Sequence, residues 1–127
     1  LSPEDVEHAF TMVREQGRYP RGFGRRPDLL SRAVARAYRE HERVAPCRAG
    51  LLEAVLTERG VVYPCEMLDR PLGDLREEGY DFGRVWMSEK AKEVREDIAR
   101  GECWCTHETD LSNACRFWPP SLAWLLW

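Results

Sequence analysis

The chain has 127 residues, enough for one domain of ordinary size with a modest core. Its 43% hydrophobic and 32% charged content is the balance of a soluble globular protein, and a formal charge of −3 excludes whole-chain attraction to nucleic acid or an anionic membrane. No stretch approaches the roughly 20 apolar residues that a membrane helix needs, and no signal-peptide pattern is present, so a cytoplasmic protein without membrane contact is expected.

Leu1 stands where an initiator Met would be, and the simplest expectation is a piece of a longer protein. "SPEDVEHAFTMVREQG" predicts a helix. Ser2 suits the N-cap, Pro3 the first position, and Glu4 and Asp5 the positive end, while Val6, Ala9, Phe10 and Val13 form the apolar stripe and Gly17 the stop. "RYPRGFGRRP" predicts a loop. "DLLSRAVARAYREHERV" predicts a second helix capped by Asp28 and ended by Pro46. "LLEAVLTERGVVYPC" changes period, with Leu52, Ala54 and Leu56 alternating before the turn "TERG" and the strand "VVY", which predicts a β-hairpin. "MLDRPLGDLREEGYDFGRVWM" reads as loop. Ser88 caps a last helix, "SEKAKEVREDIAR", with Ala91, Val94, Ile98 and the stem of Arg95 on its core face, and Gly101 ends it. The tail "RFWPPSLAWLLW" is too short to span a bilayer and is expected to pack on this fold or on a neighbouring domain.

These elements predict an α+β protein in which an N-terminal helical pair precedes a β-hairpin and a capped helix around a cysteine-ligated metal cluster. The two helices over 1–45 are expected to stand apart from a cysteine-bearing segment over 46–113 and an aromatic tail over 114–127.

The chemistry rests on five cysteines, at 47, 65, 103, 105 and 115. An odd number without secretion signals favours thiolates held for a metal or redox centre over a disulfide set. Cys47 precedes the predicted hairpin and Cys65 follows it, so antiparallel pairing returns both to one end. The capped helix aims Cys103 and Cys105 at the same place, and residues at i and i+2 of an extended segment share a face. Zinc would crowd four ligands around one ion, with sulfur at ~2.3 Å. An iron–sulfur cubane binds one cysteine per iron and spreads the sulfurs further apart, which suits a C-x-C pair slightly better. Spacing leaves both open, including a zinc site that uses His107.

In order, "CRAGLLEAVLTERGVVYPC", "LGDL", "YDFGRVWMS" and "CWCTHE" resemble the SPASM/Twitch auxiliary-cluster domain of radical S-adenosylmethionine enzymes, over residues 46 to about 113. In that family a cysteine followed by an Ala-Gly pair enters the hairpin and a Gly-x-x-x-Pro-Cys segment leaves it. A Leu-Gly-Asn-like turn follows, a Trp-Ser pair opens the next helix, and C-x-C-T-H-E closes the domain. The resemblance implies a [4Fe–4S] cluster on Cys47, Cys65, Cys103 and Cys105, serving electron transfer or the positioning of a substrate, often a peptide. Two departures stand out. Thr109 occupies the place of a further thiol common in the family, and the C-x-x-x-C-x-x-C loop of the radical-generating cluster is absent from this sequence. Radical chemistry with S-adenosylmethionine therefore requires a catalytic domain, in the same or another chain, as partner.

His107 is expected as a hydrogen-bonding neighbour of the cluster more than as a ligand. Cys115 is expected as a bystander, with substitution for the missing thiol as its other role. Seventeen of the nineteen basic residues are Arg, and nine of them fall between Arg14 and Arg43 against four acids. This Arg-rich helical face would be the binding surface in the alternative reading, a zinc-stabilised module with Cys47, Cys65, Cys103 and Cys105 or His107 as ligands. A solvated or interdomain face is preferred over nucleic-acid binding. The acidic pairs Glu77–Glu78 and Glu96–Asp97 are expected as surface charges.

Overall fold

A computed structural model describes residues 2–15 and 26–116. The expected stop at Gly17, the loop through Arg25 and the aromatic segment from 117 onward lie outside the described residues. The chain divides into two compact units, one formed by Leu1–Pro46 with Trp104–Trp127 and the other by Cys47–Cys103.

The first unit is helical. In α1 (Pro3–Glu15) the Asp5 N–H donates to Ser2 Oγ at 3.2 Å while the Ser2 N–H donates back to Asp5 Oδ2 at 2.9 Å. This reciprocal bonding satisfies two N-terminal donors, and the bond from the Ser2 backbone holds the Asp5 carboxyl below its usual value. α2 (Arg26–Glu40) begins two residues before Asp28, which lies in its first turn and is not its cap. Pro27 permits that start, because a proline lacks only an N–H that the first turn leaves without an intrahelical partner. The helix also stops six residues short of Pro46. His41 turns to φ 53° and donates its N–H to the Ala37 carbonyl at 3.0 Å, closing the helix in a left-handed conformation. A third helix, α5 (Glu108–Arg116), was not expected from the sequence. α1 packs on α2 and α2 on α5, with Ala35, Ala37, Leu111 and Ala114 buried. Of the Arg-rich face, Arg39 pairs with Glu7 of α1, and Arg36 with Glu40 at 2.7 Å.

The second unit is built on an antiparallel sheet of order β1-β2-β3. The expected hairpin is present as β1 (Val55–Leu56) and β2 (Val61–Tyr63), paired Val55 to Tyr63 and Leu56 to Val62. Its first arm is shorter than the alternation implied, since Leu51 and Leu52 belong to a turn and are exposed. Thr57 closes the hairpin with its N–H on the Val61 carbonyl at 2.9 Å and its hydroxyl accepting the Val61 N–H at 3.1 Å. The stretch read as loop holds two further elements, β3 (Gly73–Asp74), paired to β2, and α3 (Phe82–Trp86). Gly73 lets them approach closely, because a Cβ there would lie 3.0 Å from Val85 Cγ1. Beside it, Asp74 takes a fork from Arg76, at 3.1 Å from Nε and 2.6 Å from Nη2.

α4 (Glu89–Arg100) matches its prediction at both ends. Ser88 Oγ accepts the Ala91 N–H at 3.1 Å, and Gly101 closes the helix at φ 91°. Ala91, Val94 and Ile98 are buried as expected, in a core with Ala49, Val62, Cys65, Leu72, Leu75 and Val85. Each large apolar side chain so buried contributes ~1.5–3 kcal/mol of transfer free energy. Asp97 is not the surface charge expected: its side chain is largely covered and pairs with both Arg70 and Arg100, tying the loop before β3 to α4. The chain is thus mixed α+β. Among the described residues no helix is long and apolar enough to cross a membrane.

Candidate metal centre

Cys47 opens a tight turn. The N–H groups of Leu51 and Leu52 both reach the Arg48 carbonyl at 3.0 Å, and the Ala49 N–H donates to Cys47 Sγ at 3.4 Å. A backbone donor on sulfur favours the thiolate over the thiol, which is the form that binds metal. Gly50 then joins this turn to the far arm of the hairpin: its N–H is shared between the carbonyls of Pro64 at 3.0 Å and Glu53 at 3.1 Å. Pro64 is fully buried and immediately precedes Cys65. Cys65 is 9% exposed and belongs to the core of this unit, and half-buried Cys47 packs against the same core. The first two predicted ligands thus border one core, with the turn after Cys47 bonded to the residue before Cys65.

Arg95 of α4 secures the turn from behind. Its Nε donates to the Gly50 carbonyl at 2.6 Å, its Nη2 to the Trp86 carbonyl at 2.5 Å, and its guanidinium lies 4.4 Å from the centroid of the Trp86 ring. Next to Cys47, the Nε atom of Arg48 is buried without a hydrogen-bond acceptor among the described residues. A charged donor in that position calls for an anionic or sulfur-rich neighbour.

Cys103 follows the Gly101 cap, is half-buried, and closes the second unit. Residues 102–107 form neither helix nor strand. Cys105 and His107 fall in the first unit, where both meet one carboxylate. Asp110 Oδ2 lies 3.1 Å from His107 Nδ1 and 3.9 Å from Cys105 Sγ, and Asp110 is only 3% exposed. A carboxylate on Nδ1 selects the tautomer with the proton there and fixes the orientation of the imidazole ring. Trp104, between the two cysteines, sets its ring edge-on to His41 with centroids 4.8 Å apart.

Thr109 does not continue the alternation of Cys103, Cys105 and His107. The Leu111 N–H bonds the His107 carbonyl at 3.0 Å, so the helix has begun by residue 108, and Thr109 lies exposed in its first turn. Cys115 is near the other end of the same helix. Among the described residues no group of three or more His, Cys, Asp and Glu side chains is arranged to hold a single metal ion. Sequence reasoning missed Asp110, whose one visible signal is an acid three residues after a helix-initiating His. It also missed the guanidinium role of Arg95, because the partners of that group lie 45 and 9 residues away.

No curated protein and no solved structure matches the chain. The family model described as SPASM, an iron-sulfur cluster-binding domain, matches residues 35–115. That span covers more than half of the sequence and all five cysteines. With the hairpin, the capped α4 and this cysteine order all inside one match, the chain belongs to the SPASM family of iron–sulfur cluster-binding domains.

Proposed function

We propose that this SPASM domain holds an auxiliary [4Fe–4S] cluster on Cys47, Cys65, Cys103 and Cys105 and transfers electrons for a radical S-adenosylmethionine enzyme. The observation that carries the reading is the Gly50 N–H to Pro64 carbonyl bond at 3.0 Å, which seats the turn of Cys47 against the residue before Cys65. The donor set supports it chemically, since four thiolates suit iron–sulfur ligation, and the unpartnered Arg48 Nε beside Cys47 suits an anionic sulfur group. When bound, such a cluster supplies one-electron transfer at a potential set by its surroundings.

The residues of the chain do the rest. The Ala49 N–H stabilises negative charge on the Cys47 sulfur, and the core around Cys65 excludes water from that side. Asp110 and His107 hold a polar environment at Cys105 without adding a ligand, and Cys115 is a bystander. Four thiolates leave no iron open to substrate, which favours electron transfer over the positioning of a peptide. The radical-generating domain and its S-adenosylmethionine belong to a partner in the same or another chain, and a reducing cytoplasm keeps the thiols available.

Anaerobic purification followed by iron, sulfide and zinc analysis tests this. Iron and labile sulfide near four each per chain are expected. Retention should be lost in the Ala variants of Cys47, Cys65, Cys103 and Cys105 and kept in Cys115→Ala. Stoichiometric zinc without sulfide, or full retention in Cys105→Ala, would sink the assignment.

A further inference from the structure

Arg95 of the Cys47–Cys103 unit is held by backbone carbonyls and an aromatic face and, among the described residues, by no carboxylate. Arg70, Arg76 and Arg100 each face a carboxylate, on Asp97, Asp74 and Asp97 respectively. Arg95 is half-buried and reaches two backbone carbonyls and the face of Trp86, but no carboxylate among the described residues. Carbonyl dipoles and an indole face satisfy its hydrogen bonds and fix its plane. They leave its unit charge uncompensated, and taking that charge partly out of water is costly. Desolvation accordingly pushes the guanidinium pKa down, with no acidic group acting against it.

The position of this charge is specific. Its Nε holds the carbonyl of Gly50, and the N–H of the same residue holds the carbonyl before Cys65. The cation is thus fixed to the turn that follows Cys47 and bonds the residue before Cys65. A cubane with four thiolates is net negative in both of its usual oxidation states, and each added electron makes it more so. A cation fixed nearby, in a setting less screened than bulk water, favours the reduced form.

Resting on the cluster reading above, we propose that Arg95 is a positioning residue that serves as the built-in counter-charge of the iron–sulfur centre. It locks the Cys47–Cys65 turn through Gly50 and raises the reduction potential of the cluster.

The test compares wild type with Arg95→Lys, Arg95→Gln and Arg95→Met after anaerobic reconstitution. Iron and sulfide are assayed, circular dichroism reports folding, and the midpoint potential is titrated by electron paramagnetic resonance. The neutral Gln variant, which still offers a donor to Gly50, should shift the reduction equilibrium about tenfold toward the oxidised form, ~59 mV more negative for a one-electron couple. Met should shift it the same way; should Gln fail to fold, Met supplies the neutral arm. Lys keeps the charge and loses the planar fork, so it should melt earlier while its potential stays near wild type. Equal potentials in wild type and the neutral variants overturn the inference. A Lys variant shifted as far as the neutral ones also overturns it, because the effect would then belong to geometry and not to charge. A wild-type chain without iron and sulfide overturns the cluster reading itself, and is told apart from the other failures by the metal assay alone.

Discussion

Replacing Gly50 with alanine probes the turn that carries Cys47 toward Cys65, and its cost follows from two separate features. Gly50 sits at φ +70°, where an L-residue is disfavoured by ~1–2 kcal/mol. A Cβ at that position would also stand 3.2 Å from Pro64 Cβ and 3.5 Å from Arg95 Cγ. The rigid Pro64 ring cannot rotate away, and moving it strains the Gly50–Pro64 hydrogen bond, so overpacking adds ~1–3 kcal/mol. The total is about 2–5 kcal/mol, and at roughly 4–8 °C per kcal/mol for a small domain the melting temperature should fall by at least ~8 °C. Gly79 supplies the control, because it has φ +64° with nothing within 4 Å of a built Cβ. Gly79→Ala therefore carries only the backbone cost. Thermal denaturation should order the proteins wild type, Gly79→Ala, Gly50→Ala from most to least stable. Iron retention should fall in Gly50→Ala alone, since only that turn bears on the cysteines. A Gly50→Ala protein that melts with Gly79→Ala or above it would refute the close-packing argument.

Two further outcomes follow from the same unit. Ser88→Ala removes the hydroxyl that accepts the Ala91 N–H and should cost about 1 kcal/mol in chemical denaturation, with α4 loosened at its first turn. The fork of Arg76, and then its backbone N–H, hold the Asp74 carboxyl below its usual range. A depressed folded-state value means the stabilisation is complete above the unfolded pKa of ~3.9 and is lost as pH falls through the folded one. Asp74→Asn should therefore be less stable than wild type at neutral pH, and the gap should close on acidification below pH ~4. A gap that persists or widens in acid contradicts the pairing.

Local signals carried much of this protein. The caps at Ser2, Ser88 and Gly101 act over one helical turn, so α1 and α4 were legible from their own residues, as was the hairpin from its change of period at "TERG". The return of the chain from the Cys47 turn to Pro64, the residue before Cys65, was legible for the same reason, since a hairpin of known ends fixes where its flanks return. The family was legible in the order of short motifs around those cysteines. Elements defined by distant partners were not. β3 is two residues long and contains a glycine, so nothing in "GD" marks a strand until Val61 and Val62 pair with it and Val85 fills the space a side chain would take. α5 turned Thr109 from the next member of an alternating series into an exposed helical residue, and made buried Asp110 the common partner of Cys105 and His107. Arg95 shows the division most clearly. Its spacing placed its stem on the core face of α4, but only the folded chain presents it with the carbonyls of Gly50 and Trp86 and, among the described residues, with no acid. Hydrogen bonds spanning 45 residues leave no trace in local pattern, because the geometry that selects them arises when separate segments pack.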